Sequence, residues 1–262
     1  MSQSKIDIRK KYDFNEYLFY SFMPNSEVFH NKYGYFLKNN TIDTYSYITP
    51  THLGSSEFDL FLEQCFSFFD NGKKYFTVKI PQDSNYNYNA KVLREKGFLR
   101  SLTDVDVMSL TKFDKINYFR NNALQIDELT EKNYNRWVNV FFDAFQYPRS
   151  LKKYISDMVL LQMKNNISFY VGVVSGKDIS CFCSIKTEEL IGIYGVGTKK
   201  RFQRRGYAKA MLSNFISEKL IEDKDLEFCL QTVLNSKAEQ LYYSLGFEQI
   251  YIQRRFEWNP TF

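Results

Sequence analysis

The chain has 262 residues, enough for one large domain or two of ordinary size, and its 44% apolar and 18% aromatic content supplies core for either, which excludes disorder. A formal charge of +5 is mild and suits an anionic ligand or a weak attraction to nucleic acid equally well. No uncharged apolar run approaches the roughly 20 residues of a membrane span, and residues 1–15 lack an apolar signal core, so a soluble, cytoplasmic protein without membrane contact is expected.

The only histidines are His30 and His52, and Cys65, Cys181, Cys183 and Cys229 fall at no metal-ligand spacing. A metal site or a histidine-activated nucleophile therefore has no motif to rest on, and no metal is expected. Cys181 and Cys183 stand two apart in an apolar run, where a strand turns both to one side; all four thiols are expected to be reduced and mostly buried.

In the first half a strand is predicted over 75–80, a helix over 90–96, then Gly97-Phe98, and a strand over 105–110. A second domain is expected to begin near residue 120, with a short strand over 123–126. Trp137, Val138, Phe141, Phe142 and Phe145 mark the buried side of the helix that follows. A helix over 152–163 comes next, then strands over 169–174 and 179–185 joined by a Ser175-Gly176-Lys177-Asp178 turn as an antiparallel hairpin.

A strand over 190–196 then leads through a basic loop into a helix over 207–220, whose apolar positions are Tyr207, Met211, Leu212, Phe215, Ile216 and Leu220. The closing elements are a strand over 226–233, a helix over 236–245 and a strand over 248–256. Ser236 and Glu239 match a capping box, and Gly246 suits the left-handed position past a helix end. Strand, helix and Gly-Phe thus recur in both halves, with 17 residues from strand end to glycine in the first (80 to 97) and 13 in the second (233 to 246). The order points to a tandem repeat of one fold.

The loop carries the chemistry. Lys199, Lys200, Arg201, Arg204, Arg205 and Lys209 crowd around Gly206, and Gln203-Arg204-Arg205-Gly206-Tyr207-Ala208 lies directly after a strand and opens a helix. Gly206 lets the backbone approach a diphosphate without a Cβ in the way, and Ala208 keeps the helix start open. Backbone N–H groups and the helix dipole then favour the anion, and the flanking cations suit a further phosphate. Coenzyme A carries a diphosphate and a 3′-phosphate together.

Three motifs in this order resemble the GNAT superfamily: Gly195-Val196-Gly197-Thr198, the 203–208 loop, and Asn235 with Ala238, Leu241, Tyr242, Leu245, Gly246 and Phe247. The resemblance covers about residues 120–256; Lys200 stands where the family often has proline, and Ala208 where it more often has glycine. It implies an α/β (α+β) fold with a mixed central β-sheet flanked by helices, in two tandem copies: a degenerate one over 1–118 and a catalytic one over 119–262.

The resemblance further implies an N-acetyltransferase that moves an acetyl group from acetyl-CoA, its cosubstrate, to a primary amine by direct attack. A bulge near Val196, Gly197 and Thr198 would free backbone groups for the pantetheine arm and the acetyl carbonyl. Gln203, Arg204, Arg205, Gly206, Tyr207, Ala208 and Lys209 would hold the phosphates, Asn235 would bind the pantetheine arm, and Tyr242 would protonate the leaving thiolate as general acid.

Taken singly, each feature has a plainer reading. Asn235 suits a turn before a helix, Tyr242 shares a helical face with Ala238 and Leu245 as a core tyrosine would, and the cations suit a solvated face or a nucleic-acid patch. The patch lacks the interleaved aromatic residues of a nucleic-acid surface. Glu188 and Glu189, before the central strand, are weak candidates for the general base. The first half has no such loop between His30 and Gly72, and Leu93 where the second has Tyr242, so it is expected to be catalytically silent. Two other readings stand beside the enzyme: a non-catalytic acyl-CoA-binding module, and an aminoacyltransferase that uses aminoacyl-tRNA. The acceptor, an amine-bearing small molecule, peptide or protein, is not specified, nor is the oligomeric state.

Overall fold

The computed structural model of the protein describes residues 3–119 and 124–261. The first half runs α1 (Gln3–Ser21), β1 (Ser26–Asn31), β2 (Gly34–Asn39), β3 (Tyr47–Pro50), α2 (Ser55–Phe68), β4 (Phe76–Pro81), α3 (Tyr86–Glu95), β5 (Leu99–Arg100) and β6 (Val105–Leu110). The second runs β7 (Gln125–Glu128), α4 (Asn135–Phe145), α5 (Lys152–Met163), β8 (Ile167–Val174), β9 (Lys177–Thr187), β10 (Leu190–Thr198), α6 (Tyr207–Glu222), β11 (Glu227–Val233), α7 (Lys237–Ser244) and β12 (Phe247–Trp258). The expected α/β architecture is thus present, with mixed strand pairing in each half. The predicted strand over 123–126 begins at Ala123, which lies outside the described residues; the strand seen starts at Gln125. Among the described residues no helix is long and apolar enough to cross a membrane.

Two compact units result. One comprises Met1–Val107, Thr232–Leu234 and Gln249–Phe262, the other Met108–Gln231 and Asn235–Glu248. In the first, β1, β2 and β3 form an antiparallel meander, β4 lies parallel to β3 after the α2 crossover, and β12 pairs antiparallel with β4, Gln253 opposite Pro81 and Trp258 opposite Phe76. Phenylalanines fill its core; Phe69 and Phe76 stack with centroids 4.4 Å apart and planes 9° from parallel.

The second unit repeats the plan: β7, β8, β9 and β10 pair antiparallel in turn, and β11 lies parallel to β10 after the α6 crossover. The β8–β9 turn is tighter than predicted. Only Ser175 and Gly176 stand outside the strands, both at positive φ, the backbone of a two-residue hairpin turn that matches strand twist. Met211, Phe215 and Ile216 of α6 pack with Phe182, Ile191, Ile193 and Phe228 in the core.

Helix α1, β1, β2, β3 and α2 fall in a stretch that carries no predicted element, and α1 has a physical reason for it. Its buried side includes Arg9, Asp13 and Glu16, so the apolar periodicity that marks a helix is absent. Arg9 donates to Asp13 (3.2 Å), Asp83 (3.3 Å) and the Pro50 carbonyl (2.8 Å). Asp13 also accepts from the Tyr251 hydroxyl (2.6 Å) and Gln253 (3.3 Å), while Lys79 of β4 donates to Glu16 at 2.6 Å and sits 3.3 Å from the Tyr47 ring centroid. Pairing makes such burial tolerable rather than strongly favourable.

Burial pushes the Lys79 ammonium down to about 8 from 10.5, against the pull of Glu16 and with a push from Arg255. The native state therefore holds this proton less tightly than the unfolded chain, so the group's stabilisation is present above pH 10.5 and is lost as pH falls through about 8. Lys79→Met removes this linkage. In denaturant titrations the wild type should gain stability relative to the variant as pH rises from 8 to 10.5, with a slope of about 1.4 kcal/mol per pH unit. A pH-independent difference would mean that Lys79 keeps an ordinary pKa.

Candidate functional site

Strand β10 holds the site between two unlike neighbours. Its parallel pairing with β11 runs from Leu190 opposite Glu227 to Ile193 opposite Leu230 and stops there, although β10 continues to Thr198. On its other edge β10 pairs antiparallel with β9, Tyr194 opposite Cys183 and then Gly197 opposite Cys181, so that Gly195 and Val196 face Phe182 alone. Two residues against one make a β-bulge, which bends the strand and takes it out of register with its neighbour. Backbone groups of β10 beyond Ile193 thereby lose β11 as a ladder partner.

Opposite the bulge, the Phe182 carbonyl accepts from the buried indole of Trp137 at 2.9 Å. The thiols of Cys183 and Cys181 lie 3.5 Å and 3.7 Å from the carbonyls of Tyr194 and Gly195 as weak donors. Both cysteines do face one side, all four cysteines are free and buried, and burial raises the pKa of Cys181 and Cys183. Gly195 takes φ +62°, and a Cβ there would stand 3.1 Å from the Trp137 ring; a Cβ on Gly197 would stand 2.9 Å from both Ala144 and Phe145. Helix α4 thus lies hard against the bulged segment. Arg136 clamps it in place by donating to Asp178 of β9 at 2.6 Å and Asp127 of β7 at 2.8 Å.

After Thr198 the chain makes a short 3-10 turn, Lys200–Phe202, whose first N–H donates to Asp143 of α4 at 2.7 Å. Gln203 reaches back to the Thr198 carbonyl at 3.0 Å, and Phe202 and Tyr207 pack against the core, so the loop is pinned at both ends. Between them Arg204 and Gly206 both take left-handed backbone, φ 60° and 77°. Apart from its own chain neighbours, no atom of the described residues lies within 4 Å of a Cβ built on Gly206.

Helix α6 begins at Tyr207 with no side-chain cap and no acidic residue in its first turn. The first N–H groups of a helix have no intrahelical partner, so this end is open to an anion. Lys200, Arg201, Arg204 and Arg205 are exposed around it, with Arg201 and Arg205 set over the Phe202 ring at 4.8 Å and 5.8 Å. Lys209, whose pKa burial and Lys115 lower, stands one turn further in. At the strand's end the Thr198 hydroxyl is buried with no hydrogen-bond partner among the described residues.

The remaining expected site residues lie at the start and middle of α7. Asn235 is exposed at φ 62° in the turn before it, and Ser236 caps it by accepting from the Glu239 N–H at 3.1 Å, as the capping pattern predicts. Tyr242 is buried in the core with its ring 6.1 Å from that of Phe247, and desolvation raises its pKa. Gly246 does adopt the left-handed backbone, at φ 93°.

Glu188 and Glu189, the weak candidates for a general base, lie at the far end of β10 from its bulge. They form the β9–β10 turn, and from Glu189 to Val196 the strand rises about 23 Å at 3.3 Å per residue. Trp137 and Asp143 are legible in the sequence only as members of a helix; their roles depend on a carbonyl and an amide that the bulge and turn present across the fold. Among the described residues no three His, Cys, Asp or Glu side chains are placed to hold a metal ion.

Residues 170–258 match the family described as FR47-like protein. The fold is similar to that of a GCN5-related N-acetyltransferase from Kribbella flavida, with a TM-score of 0.67 at 12% identity over 95% of this chain and 95% of that one. It is also similar to a conserved protein of unknown function from Staphylococcus epidermidis, with a TM-score of 0.64 at 13% identity over 90% and 94% of the two chains. A tandem GNAT protein from the clavulanic acid biosynthesis pathway gives a TM-score of 0.60 at 10% identity over 90% and 83%. No curated protein matches the sequence. At these identities the likeness is one of fold, and the fold is that of the GNAT proteins.

Trp137→Phe keeps a ring against Gly195 and removes the indole's hydrogen bond to the Phe182 carbonyl. A cost of about 1–3 kcal/mol is expected in equilibrium unfolding, the penalty of an unsatisfied buried polar group. An unchanged midpoint would show that the bulge holds without the indole.

Proposed function

We propose that this chain, which carries the GNAT fold, moves an acetyl group from acetyl-CoA to a primary amine. The observation that carries the reading is the combination on one strand–loop–helix unit: β10 leaves β11 through a bulge, and an uncapped helix start ringed by cations follows. A thioester arm with an anionic end suits these two features together. Gly206 at positive φ with open space above it, the bare first turn of α6 and the orphaned Thr198 hydroxyl all fit a diphosphate and the arm that extends from it.

In this reading the 203–208 loop and Lys209 hold the phosphates, and Asn235 binds the pantetheine arm. Backbone N–H groups of Val196, Gly197 and Thr198 hold the acetyl carbonyl and stabilise the negative charge that develops on its oxygen. The neutral amine nitrogen attacks the carbonyl carbon, the C–S bond breaks, and the departing thiolate takes a proton from the Tyr242 hydroxyl; the nitrogen gives up its surplus proton to solvent, and the tyrosinate regains one from solvent. The Tyr242 phenol carries the proton this role needs at neutral pH, as any phenol does, and burial raises its pKa further. No covalent enzyme intermediate is needed.

Residues 119–262 are then the catalytic copy and 1–118 the degenerate one. The matched crossovers β3–α2–β4 and β10–α6–β11, each in a parallel pair, support the repeat, as do Gly97 and Gly246 at φ 95° and 93°. The first copy's helix start is already engaged: the Glu57 carboxylate accepts from the Gly54 N–H at 3.1 Å at the head of α2, where a diphosphate would have to sit.

Gly206→Glu tests the loop. Wild type should bind one coenzyme A per chain by calorimetry, and the variant none, because the new side chain puts bulk and negative charge against the diphosphate. Unchanged binding would overturn the loop assignment, and binding without thiol release against an amine panel would favour a non-catalytic module.

Tyr242→Phe tests the acid. Loss of a positioned general acid costs on the order of 10²- to 10⁴-fold in the chemical step, so single-turnover acetyl transfer should fall by that amount while coenzyme A affinity and melting temperature stay near wild type. Near wild-type single-turnover rates would return Tyr242 to the core.

A further inference from the structure

The first unit has a split between parallel strands of its own, and the chain fills it. Strands β3 and β4 pair at Tyr47 opposite Thr77 and at Ile48 opposite Val78, where the ladder stops, although β3 runs on to Pro50 and β4 to Pro81. Beyond the last pair, acceptors from three segments surround one point: the Pro50 carbonyl at the end of β3, the Asp83 carboxylate after β4 and the Asp13 carboxylate of α1. The Arg9 guanidinium occupies that point, with Nη2 donating to Pro50 at 2.8 Å, Nη1 to Asp83 at 3.3 Å and Nε to Asp13 at 3.2 Å.

Both carboxylates are fixed from behind. Asp13 accepts from the Tyr251 hydroxyl at 2.6 Å and the Gln253 amide at 3.3 Å, and Asp83 accepts from the Asn85 N–H at 3.0 Å. The side chains of Arg9, Asp13 and Asp83 are at most 6% exposed. A simple ion pair needs one such contact. Here every nitrogen of the planar fork meets a different acceptor, an arrangement that suits a guanidinium and not the point charge of an ammonium. Buried acceptors of opposite charge, held in place by a further layer of hydrogen bonds, make a preorganised pocket.

We propose that the end of the β3–β4 split is a guanidinium-binding pocket and that Arg9 is its tethered ligand, delivered by α1 as a strap. Cutting the tether leaves two buried carboxylates without their counter-charge, a state that a free guanidinium ion relieves. The inference goes beyond the transfer reading and stands on the first unit alone, whatever the second unit binds.

The test uses the full chain carrying Arg9→Ala. Its melting temperature should fall below wild type, and guanidinium chloride at millimolar concentration should raise it along a saturating curve, as a ligand of the folded state does. Potassium chloride and methylammonium chloride at the same concentrations should not, and wild type, its pocket filled, should show no such rise. Adding Asp83→Asn should increase the guanidinium concentration for half the effect by about tenfold, because a charged acceptor is lost. Arg9→Lys should melt well below wild type, since it restores the charge without the fork. Hydrogen exchange over α1 should quicken in Arg9→Ala and slow again with guanidinium. If Arg9→Ala does not fold on dilution from urea, dilution into guanidinium should recover it and dilution into potassium chloride should not. A response shared by all three salts, a rescue indifferent to Asp83→Asn, recovery in neither salt, or an Arg9→Lys chain as stable as wild type overturns the proposal.

Discussion

Where β10 carries two residues against one on β9, the Phe182 carbonyl opposite lies inside the core, and leaving such a group without a hydrogen bond costs about 1–3 kcal/mol. The Trp137 indole meets that need at 2.9 Å, and most of the second unit's local arrangement follows from its having to be there. An indole at that spot leaves no room for a side chain at position 195, which is glycine at positive φ. It draws α4 against the bulged segment, and Arg136 keeps it there through carboxylates on two different strands. The helix end then meets Gly197, and Asp143 takes the N–H of Lys200. A single extra residue in a strand thus connects the sheet, the helix and the start of the basic loop.

The two ends of this strand–loop segment differ in electrostatic character. The bulge is lined by buried, neutral thiols and an indole, so its freed backbone groups stand in a setting of low polarity where a hydrogen bond to a developing charge is strengthened. The loop is exposed and cationic, where individual charges are screened and several are needed to act together. A ligand with an uncharged, reactive end and a highly charged end matches this gradient.

The first unit shows what the same plan becomes without the loop. It keeps the parallel pair and the crossover helix, but Glu57 satisfies the N–H at the head of α2, and Arg9 of α1 donates to the carbonyl of Pro50 at the end of β3. Groups that a ligand would need are engaged by the chain itself. The price is a set of buried charges, Arg9, Asp13, Glu16 and Lys79, that must stay mutually paired.

Sequence alone was enough for α5, predicted over 152–163, and for β6, predicted over 105–110, both found at those bounds, because their apolar spacing is regular. Ser236 and Gly246 were legible because capping and left-handed backbone are decided within a few residues of the chain. So was the basic glycine loop, whose meaning lies in consecutive residues between a strand and a helix. Helix α1 was not legible, since its buried side is charged and partners 40 to 240 residues away make that burial tolerable. Nor were Trp137 and Asp143, or the remoteness of Glu188 and Glu189: each depends on where a bulged strand lies against a helix distant in sequence. Local order is written in neighbouring residues, whereas a hydrogen bond or a close approach across the fold exists only once the chain has closed on itself.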